Sequence, residues 1–208
     1  MYVSLLPYCF IVSFSLCMNI LIVVAHPQSA HSTSHEIARL YQTEKESQWH
    51  TVFLMDLYES TWKQDYLLLD DRRKPLPDPY RAQIQEKITR ANEIVFCFPL
   101  WWFDCPAILK NRFDTNMTGW FAYRYRPGKS TPEKLLTDKS VRVFATTGWP
   151  SWLYMTMGQL IVLLFYLGRI DYVGMKLNSW TWLCGVPGYK TAHAKQWIWE
   201  KVKKIARR

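Results

Sequence analysis

The chain has no CxxC pair and no His/Cys cluster at ligand spacing, which excludes the usual structural zinc sites. It has no GxGxxG and no GxxxxGK[ST], so neither a dinucleotide fingerprint nor a Walker loop is present. No RNA- or DNA-binding signature accompanies its basic charge, which argues against a nucleic-acid binder. No internal repeat occurs. No convincing catalytic triad or carboxylate dyad stands out, so nothing demands a side-chain nucleophile or acid–base pair. The first 25 residues carry no charge at all.

What is present points to one packed domain. At 208 residues the chain is long enough for a sizeable core, and 49% of it is apolar. The aromatic content is high, with 11 Trp and 12 Tyr, which suits either planar ligands or a core of large side chains. Five scattered cysteines, Cys9, Cys17, Cys97, Cys105 and Cys184, suit free thiols in a reducing cytosol. The net charge is +9, and the segment from Lys190 to Arg208 holds seven Lys or Arg against one acid, Glu200. Such a tail is either a solvated helix face or an attractor of anions.

The uncharged N-terminus is long enough to span a bilayer, but it lacks the basic n-region and cleavage site of a signal peptide. Its second half, Asn19 to Ala25, reads as a buried parallel strand, and a strand the fold needs cannot also sit in lipid. The domain therefore starts at Met18. Residues 1–17 are an upstream extension, from a mis-assigned start or serving as a membrane anchor. A cytoplasmic location is expected, membrane-associated in the second case.

Strand and helix patterns alternate along the rest. Strands are expected near 19–25, 50–56, 94–98, 141–146 and 171–178. Helices are expected from about 33 to 45, 79 to 91, 106 to 116, 154 to 168 and 190 to 206. Five strands with intervening helices predict an α/β doubly wound parallel sheet with helices on both faces. In such sheets ligands bind beyond the strands' carboxyl ends, near the topological switch point.

The three most unusual loops all begin at such ends. In "AHPQSAHSTSHE", Ser32, Thr33 and Ser34 stand where a helix begins, and its unpaired N–H groups suit a phosphate; plain capping is the alternative. His26 either contacts ligand or holds the loop. In "FPLWWF", Pro99, Leu100, Trp101, Trp102 and Phe103 offer backbone amides and flat aromatic edges. In "TTGWP", Thr146, Thr147 and Gly148 offer N–H donors and a tight turn.

Together, "ILIVVAHP", "FPLWWFDCPAILKNRFD" and "TTGWPSWLY" resemble the flavodoxin-like NAD(P)H:quinone oxidoreductase family, from Met18 to the C-terminus. The resemblance implies a flavodoxin-like five-stranded sheet and a bound flavin, FMN in preference to FAD. It implies hydride transfer from NAD(P)H through that flavin to a quinone-like acceptor, in ping-pong order. It places His26 and Ser32, Thr33 and Ser34 at the ribityl phosphate, Pro99 to Phe103 along the ring, and Thr146, Thr147 and Gly148 at the pyrimidine end. Tyr154 falls where mammalian members carry a Tyr facing the flavin, and is the candidate catalytic contact. Two features depart from the mammalian pattern. Leu160 stands in place of a His, and Gly148-Trp149 replaces Gly-Gly. The longer phosphate loop is nearer the bacterial members.

A homodimer is implied, with Trp120, Phe121, Tyr123 and Tyr125 as interface candidates. The alternative function is a flavin-binding regulatory subunit of a membrane partner of the potassium-efflux type. No metal is expected.

Overall fold

The computed structural model describes residues 17–28, 32–71, 74, 75, 77–185 and 192–208. The expected extension, apart from Cys17, lies outside the described residues. So do Ser29, Ala30 and His31 of the first loop.

The first strand, β1 (Asn19–Val24), is followed by α1 (Thr33–Glu46), β2 (Thr51–Asp56), α2 (Pro79–Arg90), β3 (Glu93–Pro99) and α3 (Ala107–Asn116). Then come β4 (Ser140–Thr147), α4 (Ser151–Thr156), α5 (Gly158–Phe165), β5 (Lys176–Cys184) and α6 (Ala192–Ala206). The strands pair in the order β2-β1-β3-β4-β5, all parallel. The order reverses between β1 and β3, so the crevice above that pair is the switch point.

Burial on both faces explains the apolar strands. Alternate side chains of β1 point to opposite layers. Ile20, Ile22 and Val24 pack with Ile37 and Tyr41 of α1 and Ile198 and Val202 of α6. Leu21 and Val23 pack with Ile84 and Ile88 of α2, Leu109 and Phe113 of α3, and Phe165 of α5. Helix ends follow local chemistry. Asp78 caps α2 by accepting the Tyr80 N–H, with Pro79 in the first turn.

Two boundaries differ from the sequence reading. The last strand runs Lys176–Cys184, not 171–178. Asp171–Val173 is a 3-10 turn, and Gly174 at φ 95° ends it in the left-handed region. A β-carbon at Gly174 would lie 2.8 Å from the Lys134 β-carbon, so glycine is favoured at this left-handed stop, and the extended run begins after it. The helix expected over 154–168 is two pieces, α4 and α5, followed by a wider turn at Tyr166–Ile170. Gly158 begins α5 close against Tyr154 and Trp182.

The loop around Trp120 folds onto a two-stranded ribbon, Tyr123–Arg124 with Glu133–Lys134. Phe121 and Tyr123 pack on the core while Trp120 and Tyr125 stay exposed. Among the described residues no helix is long and apolar enough to cross a membrane.

Candidate active site

The three loops singled out in the sequence meet at the carboxyl ends of β1, β3 and β4. The Leu100 N–H donates to the Thr146 carbonyl at 2.8 Å, which zips the second loop to the third. The Ser34 and Thr146 hydroxyls lie 3.5 Å apart and both side chains are buried, which brings the start of α1 to the end of β4. The His26 ring sits 6.3 Å from the Trp101 ring, and its Nδ1 accepts the Gln28 N–H. Burial, then the neighbouring His35, holds the His26 pKa below the ordinary histidine value, so His26 is neutral near pH 7.

The second loop is a two-residue turn. The Trp101 N–H donates to the Asp104 carbonyl and the Asp104 N–H donates to the Trp101 carbonyl, both at 2.9 Å. Trp102 (φ 52°) and Phe103 (φ 61°) are both left-handed. Such a turn favours Asn or Gly, and a bulky residue there costs about 1–2 kcal/mol. The strain is held by Asp104, which accepts from the Cys105 N–H and from Arg169, each at 2.7 Å. Trp102, 98% exposed, and the half-exposed Phe103 are thereby displayed outward. Burial, then the neighbouring Asp104 charge, pushes the Cys105 thiol up to about 12, so it stays protonated.

At the third loop, Thr146 and Thr147 are buried and Gly148 is exposed. The Thr147 hydroxyl accepts the Trp149 N–H at 3.2 Å and pairs with the Tyr154 hydroxyl at 2.7 Å. Tyr154 is buried, its ring tilted against Trp182 at 4.7 Å. Its hydroxyl therefore reaches the site through Thr147. Leu160 is exposed on α5.

At the first loop, Ser32 caps α1 by accepting the His35 N–H. The structure also reveals what the sequence reading missed. Ser32 Oγ lies 2.6 Å from His35 Nδ1, and His35 Nε2 lies 2.7 Å from Asp56 Oδ2. This is a Ser–His–Asp line where none was recognised. It is fully buried, and the serine is committed to its helix cap. The spacing of Ser32 to His35 and the acid that ends β2 were the available signals. Asp104–Arg169 had none, since the partners are 65 residues apart.

The donor set suits a planar group bearing a phosphate. Hydroxyls of Thr33 and Ser34 flank the free N–H groups at the start of α1. The Ser34 and Thr146 hydroxyls meet there at 3.5 Å, and Trp101, Trp102 and Phe103 stand exposed on the neighbouring loop.

A family model described as flavodoxin-like fold matches residues 18–206. An uncharacterised NAD(P)H oxidoreductase of Haemophilus influenzae is 33% identical over 63% of this chain and 65% of its own length. A ribosyldihydronicotinamide dehydrogenase-like protein of Penicillium crustosum is 32% identical over 63% of this chain and 58% of its own. The chain thus spans less than two thirds of these curated relatives. The solved NAD(P)H:quinone oxidoreductase of Methanothermobacter marburgensis superposes with a TM-score of 0.75 at 27% identity, covering 92% of this chain and 98% of its own.

Proposed function

The chain belongs to the flavodoxin-like fold family, and from that premise we propose that it is a flavin-dependent NAD(P)H oxidoreductase acting on a quinone-like acceptor. The observation that carries this reading is the meeting of three loops bearing hydroxyls and aromatic rings at the carboxyl ends of the strands, at the switch point of the sheet. The names borne by the relatives support the same class of reaction. FMN, when bound, supplies hydride acceptance and release.

The residues of this chain do the holding. The start of α1, with Thr33 and Ser34, binds the phosphate. His26 and Ser32 hold the loop that leads to it. Pro99 to Phe103 line the ring and exclude water from one side. The turn Thr146-Thr147-Gly148 offers donors where negative charge develops. Nicotinamide and acceptor use the remaining face in turn, which gives ping-pong kinetics. The same reading makes the chain a homodimer, which its mass in solution decides.

Tyr154 acts as a polar contact relayed through Thr147. Tyr154→Phe is expected to cost about 1 kcal/mol of stability, since a buried hydroxyl pair is broken, and to lower turnover about tenfold. Lost stability with unchanged kcat would make Tyr154 a packing residue only.

The first test is the visible spectrum of the purified chain before and after anaerobic NADPH. A flavin spectrum that bleaches on mixing is expected. A colourless protein that takes up neither FMN nor FAD would sink the reading.

A further inference from the structure

We propose that His35 is a positioning residue that takes up a proton when the cofactor's phosphate binds, so that the site accepts a dianionic phosphomonoester together with a proton. The inference rests on the flavin reading above and goes beyond it in assigning His35 and Asp56 a role.

Asp56 ends β2 as a buried carboxylate. Its Oδ1 accepts the Tyr58 N–H at 3.0 Å and its Oδ2 faces His35 Nε2 at 2.7 Å. A carboxylate can only accept, so Nε2 carries a hydrogen. In the neutral ring Nδ1 is then a bare acceptor, and the Ser32 O–H must donate to it across 2.6 Å. The Ser32 oxygen meanwhile accepts the His35 N–H at 3.2 Å. Its single hydrogen is spent inward, and the serine offers an anion nothing but lone pairs.

Adding one proton to Nδ1 reverses that bond. Nδ1–H now donates to Ser32 Oγ, and the serine hydrogen is released to donate to a phosphate at the start of α1. The imidazolium also adds a positive charge beneath the phosphate, and Asp56 stabilises it. No bond other than these hydrogen bonds changes. The proton comes from solvent.

Other groups around the site keep their charge between pH 7 and 9. His26, after β1, lies 6.3 Å away edge-on and is held neutral by burial, then by His35. Cys97 on β3 is pushed up by burial. Glu36, beside it on α1, pairs with Lys195 of α6 at 3.4 Å. From β4 it is Thr146, through Ser34, that approaches. A phosphomonoester loses its second proton near about pH 6, so FMN is a dianion throughout this window, whereas each phosphate of FAD carries one charge.

The test titrates the flavin-free full chain with FMN and with riboflavin from pH 7 to 9. It follows flavin fluorescence, and calorimetry in two buffers of different ionisation heat. FMN affinity is expected to fall at least about tenfold over the window, the limit being about tenfold per pH unit for one proton. Proton uptake should accompany FMN at pH 7.5, and riboflavin should show neither effect. His35→Asn, which can donate but not titrate, should bind FMN with a flat profile and no uptake. If that variant does not fold, Asp56→Asn should likewise abolish uptake. A flat profile in the unmodified chain, or an unchanged slope in either variant, overturns the role of His35 while leaving the flavin reading standing. Failure to bind either flavin at any pH overturns both.

Discussion

Thr33→Asp is expected to weaken FMN binding about a hundredfold while leaving the fold as stable as before or slightly more so. Thr33 is the first residue of α1. An acid in the first turn of a helix faces its positive end and contributes roughly 0.3–1 kcal/mol. The same carboxylate faces the phosphate that the proposed function places there. At about 5 Å, with an effective dielectric near 20, two like charges repel by about 3 kcal/mol, which is about two orders of magnitude in affinity. The opposite signs make the experiment informative, because a general loss of structure cannot raise stability. Thr33→Val removes only the hydroxyl and is expected to cost less than about tenfold. Fluorescence titration and thermal melting read both quantities. If Thr33→Asp binds FMN like the unmodified chain, the phosphate is not at α1.

The second large effect lies at the opposite end of the strands. Glu93 opens β3 as a buried carboxylate, 2% exposed. Its Oε2 accepts the Tyr41 hydroxyl at 2.8 Å, and its Oε1 accepts from Arg142 Nε at 2.9 Å. Burial, then the Glu93 charge, pushes the Tyr41 pKa well up, so the phenol remains a donor. Glu93→Ala leaves the Arg142 guanidinium, itself largely buried, without its counter-charge. Removing one partner of a buried pair costs about 3–5 kcal/mol. For a chain of this length each kcal/mol lowers Tm by about 2–4 °C, so a drop of roughly 6–20 °C is expected. Flavin affinity per folded molecule should not move, because the network sits at the strands' amino ends. A loss below about 1 kcal/mol would mean that water replaces the carboxylate.

The sequence by itself determined the elements that local chemistry writes. Four apolar runs became parallel strands near their expected bounds because both faces of such a sheet are buried, whereas the fifth strand lies further along, at Lys176–Cys184. Ser32 announced α1 because unpaired N–H groups need a side-chain acceptor. The unusual loops were legible as a set, since each follows a strand and a doubly wound sheet gathers such ends on one side. Gly174 and Gly158 were harder. Their effect on the last strand and on the helix before it depends on what packs against them, Lys134 in one case and Tyr154 with Trp182 in the other. Only the tertiary structure decided the pairings that set the chemistry: Asp104 with Arg169, Ser34 with Thr146, His35 with Asp56, and Glu93 with Arg142. Each joins residues that are far apart in the chain. No periodicity records them, because a polar group is satisfied by whatever the packed fold brings within hydrogen-bond reach.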